Sequence, residues 1–191
     1  DWPEWATHTI NIQRHLTADD FRIAAMPGRT SMNAAVIRPF HWHPVFYTME
    51  LPVTDGAVQR LDNENLTKFA IVDRFSGEAR TSRMFWRGCG PRDAESALAC
   101  SVGHDKHNIW CVGSSDDAMA LAVNTLAAQQ GAIALRRTSD REESLVVCNA
   151  ADHPVTLPVA STGAARITVG PPPSLDRGML TLAPRSAAIL G

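Results

Sequence analysis

Apolar positions along this chain come in short runs separated by turn-forming residues, and their period differs from segment to segment. Residues 33–38, centred on Val36 and Ile37, predict a strand that Pro39 ends. Residues 47–53 predict a second strand, closed by the turn sequence Thr54-Asp55-Gly56. Residues 68–74 and 82–86 read as the arms of a β-hairpin around Phe75-Ser76-Gly77-Glu78, and Gly88-Cys89-Gly90-Pro91 stops the second arm. Pro91 then suits the first turn of a helix, with Asp93 and Glu95 at its positive end. The small residues of 94–102, among them Ala94, Ala97, Leu98 and Ala99, continue it. Ile109-Trp110-Cys111-Val112, stopped by Gly113, predicts a buried strand.

Ser115 is a helix N-cap, with Asp116 and Asp117 in the first turn, and Met119, Ala122, Val123 and Leu126 recur at helical steps. Gly131 ends that helix and residues 132–135 form the next strand, so strand, helix and strand suggest a parallel crossover unit. Residues 1–32 read as a lead-in, in which Thr17-Ala18-Asp19-Asp20-Phe21 is a single capped turn with Thr17 accepting a backbone hydrogen bond. From residue 139 the character changes. Apolar runs at 145–147, 155–159, 167–169, 179–182 and 187–190 alternate with Pro, Gly and Asp, the rhythm of an antiparallel sheet. The predicted fold is α/β (α+β): a mixed sheet with two or three helices over residues 1–138, followed by a short antiparallel β tail over 139–191.

Composition narrows the function classes. With 45% hydrophobic and 20% charged residues in 191, the chain can bury a core. A formal charge of −2 gives no bulk attraction for nucleic acid or membrane. No apolar run approaches the ~20 residues of a membrane span. Cys89, Cys100, Cys111 and Cys148 lack Cys-x-x-Cys spacing and lie in apolar surroundings, which suits thiols in a reducing, cytoplasmic compartment. The start at Asp1 rather than at a methionine suggests a processed chain or a piece of a longer one.

Candidate chemistry concentrates in His104-Asp105-Lys106-His107-Asn108, expected as the turn between the 94–102 helix and the 109–112 strand. Imidazole with carboxylate can bind a divalent metal, pass a proton or hydrogen-bond a nitrogen heterocycle. The same residues can also satisfy one another, with Asp105 capping backbone amides and Asn108 bonding the chain. Spacing leaves both open. Phe40-His41-Trp42-His43-Pro44 contains a His-x-His pair, the first ligand pair of metal-dependent amidohydrolases. A (β/α)₈ barrel needs ~200 residues or more, however, and eight strand and helix units are not present, so His41 and His43 read better as strand-end histidines among aromatics. Gly88-Cys89-Gly90 lacks the third glycine or lysine of a nucleotide loop.

Ser101-Val102-Gly103-His104-Asp105-Lys106-His107-Asn108, with Val112-Gly113-Ser114-Ser115-Asp116 after it, resembles the C-terminal domain of bacterial adenine deaminases. Members of that family carry Ser-x-x-His-Asp-x-His-Asn followed by Val-Gly-(Ser/Thr)-(Ser/Asn)-Asp. Lys68-Phe69-Ala70-Ile71-Val72-Asp73-Arg74 is similar to a second family phrase, and Trp5-Ala6-Thr7-His8-Thr9 and Leu16 to Phe21 to two more where the chain leaves the barrel. The resemblance implies hydrolysis of adenine to hypoxanthine and ammonia by a metal-bound hydroxide, the metal being manganese, iron or zinc. It implies a missing amidohydrolase barrel as partner and adenine or a related purine as ligand, and leaves a homo-oligomer open. The site residues it points to are His104, Asp105 and His107 for catalysis and Ser101 and Asn108 for the purine. His104 and His107 would hold any extra metal, and His41 and His43 are metal candidates only by their spacing. Residues 145–188 resemble instead the C-terminal β-sandwich of α-amylase-type glycoside hydrolases, which is usually non-catalytic; the absence of Trp, Tyr and Phe from 139–191 argues against a sugar platform. The alternative to a deaminase part is therefore a non-catalytic accessory module.

Overall fold

A computed structural model describes residues 9–40, 43–91, 95–103, 107–128, 130, 133–138, 143–149, 154–158, 165–184 and 186–190. Its strands are β1 (Ser31–Phe40), β2 (His43–Thr54), β3 (Ala57–Val58), β4 (Leu66–Val72), β5 (Thr81–Arg87), β6 (Ala97–Cys100), β7 (Ile109–Gly113), β8 (Ile133–Thr138), β9 (Glu143–Asn149), β10 (Val155–Pro158), β11 (Ala165–Val169), β12 (Ser174–Asp176), β13 (Met179–Leu182) and β14 (Ser186–Leu190). A single α-helix, α1 (Asp116–Ala128), is found among the described residues. Eleven of these strands join in the order β11-β14-β9-β8-β6-β7-β4-β5-β1-β2-β3, and β10-β13-β12 form a smaller sheet. The sheet is mixed, because β1 runs parallel to β5 while its other neighbours pair antiparallel.

Two expectations about helices are corrected. Residues 97–100 form strand β6, hydrogen-bonded to β7 on one side and β8 on the other. Ala97 and Ala99 lie on the face that α1 covers, where small side chains let the helix approach the sheet. A run of small residues has little local preference, and pairing on both sides decides for the strand. Residues 92–94 lie outside the described residues, so the expected start of that helix does too. The count of two or three helices thus becomes one among the described residues.

The remaining differences are local. Pro39 does not end its strand but sits within β1, opposite Pro44. The β2–β3 turn has both Asp55 (φ 52°) and Gly56 (φ 69°) in the left-handed region, as a two-residue hairpin demands. In the single turn at Ala18–Asp20, the Asp20 carboxylate accepts the Thr17 N–H at 2.8 Å, so the reciprocal half of the expected cap is the one with a firm bond. Gly131 is outside the described residues; α1 stops at Ala128, and Gln130 takes a left-handed φ of 56°.

The crossover exists, with a strand inserted in it. Because β6 is antiparallel to both β7 and β8, those two are parallel to each other, and α1 connects them over β6. Ser115 Oγ accepts the Ala118 N–H at 3.2 Å, the expected N-cap. Met119, Ala120, Ala122, Val123 and Leu126 bury against Ala70, Val72, Ala97, Ala99, Ile109 and Cys111. Gly113 has to be glycine here, since a Cβ would stand 2.4 Å from Met119 Cγ. The lead-in seals the same core with Ile10, Leu16 and Phe21.

Two carboxamides of the α1 region clip that lead-in in place. Asn124 accepts the Leu16 N–H (3.0 Å) and donates to the Leu16 carbonyl (2.8 Å). Gln130 does the same for Ile10, at 3.1 and 3.0 Å. Each amide stands in for one rung of a β-ladder, so the Ile10 and Leu16 backbone groups are paired without a strand of their own.

Candidate functional site

β6 and β7 are neighbours in the interior of the sheet, so the His104–Asn108 segment is a connection between antiparallel strands and not between helix and strand. Its described end, His107-Asn108, adjoins the end of the sheet where β4 finishes with Val72, paired to Ile109. His104, Asp105 and Lys106 lie outside the described residues. His107 is exposed and held at φ 52°, a left-handed conformation that His tolerates better than most side chains. Gly103 backs it, 3.6 Å from the His107 nitrogen as measured from the position a Cβ would take.

The described part of the turn is tied at three points. Trp110 Nε1 donates to the Val102 carbonyl at 3.0 Å. The backbone N–H of Arg74 donates to Asn108 Oδ1, and Arg74 Nη1 donates to the Ser101 carbonyl, both at 3.4 Å. Arg74 Nε is buried without a partner among the described residues. Burial lowers the pKa of that guanidinium, because desolvation disfavours its charge. Next to it, the Asp73 carboxyl is held below the usual carboxylate range by the Ser76 hydroxyl and by the Phe75 N–H at 2.9 Å.

Two exposed apolar side chains lie on the turns that carry these polar groups. Phe75 on the β4–β5 turn is 54% exposed and Val102 on the β6–β7 turn is 67% exposed, so the two flanks of Arg74 both present hydrocarbon to solvent.

The other imidazole pair is placed elsewhere. His41 is outside the described residues, and His43 is exposed at the start of β2, opposite Phe40. Strand direction fixes its distance from His107. The Phe40 end of β1 is the Arg87 end of β5 and the Leu66 end of β4, whereas His107 adjoins the Val72 end. The length of β4, about 20 Å at the usual rise, therefore lies between them, and one ion cannot be shared by His43 and His107. Among the described residues no three His, Cys, Asp or Glu side chains come together, so the donors described do not by themselves fit a metal.

Sequence reasoning missed Arg74 as part of this corner. It was visible as the cation that ends the apolar run of β4, but nothing local says that the strand end meets a turn some thirty residues later. Phe75, Trp110 and the clips of Asn124 and Gln130 were likewise invisible without the pairing of β4 with β7 and the docking of α1.

The family model for the adenine deaminase C-terminal domain matches residues 46–147 of this chain. The chain is 68% identical over 139 residues to Adenine deaminase 1 of Bradyrhizobium sp. (strain ORS 278), covering 73% of this chain and 22% of that protein. It is 64% identical over 137 residues to Adenine deaminase 2 of Jannaschia sp. (strain CCS1), covering 72% and 22%. It is 34% identical over 128 residues to Adenine deaminase of Moorella thermoacetica (strain ATCC 39073 / JCM 9320), covering 66% and 21%. The chain thus spans about a fifth of the length of the curated relatives it matches.

Proposed function

Because this chain belongs to the adenine deaminase C-terminal domain family, we propose that it serves the hydrolysis of adenine to hypoxanthine and ammonia as one wall of a catalytic centre. The amidohydrolase barrel that would complete that centre is its partner. A divalent metal, manganese, iron or zinc, would supply the hydroxide nucleophile from that partner. Among the described residues no three donors come together to hold such an ion. What these residues contribute is contact and proton traffic. His107, with His104 and Asp105 beside it in sequence, offers imidazole and carboxylate groups to the purine edge and to the departing amine. Ser101 and Asn108 set the two feet of the turn.

The observation that carries this reading is the exposed His107 on a turn that also carries exposed Val102 and is tied to Arg74, next to exposed Phe75, within the segment matched by the family model. A cytoplasmic location is in keeping with it, and no helix among the described residues is long and apolar enough to cross a membrane. The division at residue 138 belongs to the same reading: 139–191 is a packing extension, whose strands β9, β14 and β11 add to the sheet at β8.

The test is direct. His104→Ala and His107→Ala in the full-length polypeptide carrying this domain should each slow ammonia release from adenine while leaving the fold intact. Unchanged turnover in both would end the proposal and leave an accessory module as the better description. The 191-residue chain should release no ammonia from adenine with Mn²⁺ or Fe²⁺ until a barrel is supplied in trans.

A further inference from the structure

We propose that Arg74 is a positioning residue of this site, setting the β6–β7 turn from both of its feet and so deciding where His107 and Asn108 are presented; this rests on reading that turn as a wall of the catalytic centre. Ser101 follows β6 and Asn108 precedes β7, and one residue on a third strand end reaches both, through Nη1 to the Ser101 carbonyl and through its own N–H to Asn108 Oδ1. A connection between two strands that is also tied to a third has fewer ways to move than one held by its own hairpin.

Arg74 is itself immobilised. Its carbonyl accepts the Asn11 N–H at 2.6 Å, Asn11 Nδ2 donates to the Phe75 carbonyl at 3.0 Å, and its guanidinium carbon stands 5.0 Å from the Phe75 ring centroid. Asn11 in turn belongs to the lead-in that Asn124 and Gln130 clip to α1. The chain of fixed contacts therefore runs from the core to the turn.

The side chain is poorly chosen for stability alone. No carboxylate among the described residues pairs with it, and its Nε has no partner among them, a cost to a part-buried guanidinium that an apolar residue would not bear. A group kept at that cost is accounted for by what it holds. Lysine keeps the charge but places its donor differently, so it restores the Nη1 contact with Ser101 only in part.

The experiment compares Arg74→Met, Arg74→Lys, Asn108→Ala, His107→Ala and the double variant Arg74→Met/Asn108→Ala in the full-length polypeptide. Expected is a fall in kcat of about 10- to 100-fold for Arg74→Met with KM little moved, as misplacement of site groups gives. Arg74→Met frees only the Ser101 foot, because the backbone N–H of residue 74 still reaches Asn108; the double variant frees both feet and should fall further than either single parent. In the 191-residue chain, hydrogen exchange at residues 101–103 and 107–108 should quicken in Arg74→Met and return partway in Arg74→Lys. Unchanged exchange there overturns the proposal whatever the activity does. A slowed His107→Ala enzyme beside a normal Arg74→Met enzyme overturns it while leaving the wall intact, whereas normal turnover in His107→Ala removes the wall itself. If Arg74→Met does not fold, Arg74→Lys carries the same comparison, with full activity and native exchange as the overturning result.

Discussion

The sheet carries an imidazole-bearing segment at each end, and the two are held in different ways. At one end His107 follows a connection tied by Trp110 and Arg74, on strands whose inner face is covered by α1. At the other, His43 starts a strand whose partner there is β1; β5 meets β1 at Val36 and Ile37 and not at the Phe40 end. Pro39 and Pro44 face one another in that ladder, and neither has an N–H to donate. Val45 and Phe46 are exposed, Phe46 at 63%. A two-stranded ribbon beyond its neighbours has little stability of its own. The comparison teaches that a His-rich segment means different things according to what braces it, since only a braced group can be aimed.

The contrast breaks most sharply in the helix-backed core. Leu126 is fully buried among α1 and β-strand side chains, so Leu126→Ala should cost about 2–5 kcal/mol in urea unfolding. Next comes Asn124→Ala, which strips partners from both backbone groups of Leu16. A loss of about 1–3 kcal/mol is expected, with hydrogen exchange rising over the lead-in first. His43→Ala and Phe46→Ser at the far end should change stability by no more than about 0.5 kcal/mol and leave turnover of the full-length polypeptide alone. A large loss of turnover from either would put the far end back in contention as a site.

The smallest effect separates the regions by acidity. The Asp20 carboxyl is held below its ordinary pKa chiefly by its hydrogen bonds from Arg14, at 2.9 and 2.6 Å. A depressed carboxylate adds stability that is present above its unfolded pKa and is lost as pH falls through the folded one. Asp73 behaves likewise through Ser76 and Phe75. Hydrogen exchange should therefore rise around residues 14–21 and 73–76 below about pH 4, with residues 43–46 unaffected. Equal acid sensitivity at both places would remove this distinction.

Much of the fold was legible because its rules are local. Asp55-Gly56 demanded a tight hairpin by its left-handed angles, Ser115 capped α1, and the strands β4, β5 and β7 were marked by apolar runs and glycines. The resemblance located the turn at 101–108, and its neighbourhood followed only from strand order. Residues 97–100 misled because alanine and cysteine fit either a helix or a strand; the choice came from hydrogen bonds supplied by β7 and β8.

By itself, then, the chain determined its turns, its helix cap, the alternation of its strands and the family to which it belongs. Tertiary structure decided that Arg74 meets Ser101 and Asn108, that His43 and His107 stand at opposite ends, and that Asn124 and Gln130 pair the lead-in. The physical reason is range. Propensity and capping act within a few residues, whereas strand order and helix docking bring together groups that sequence keeps some thirty to a hundred and twenty positions apart.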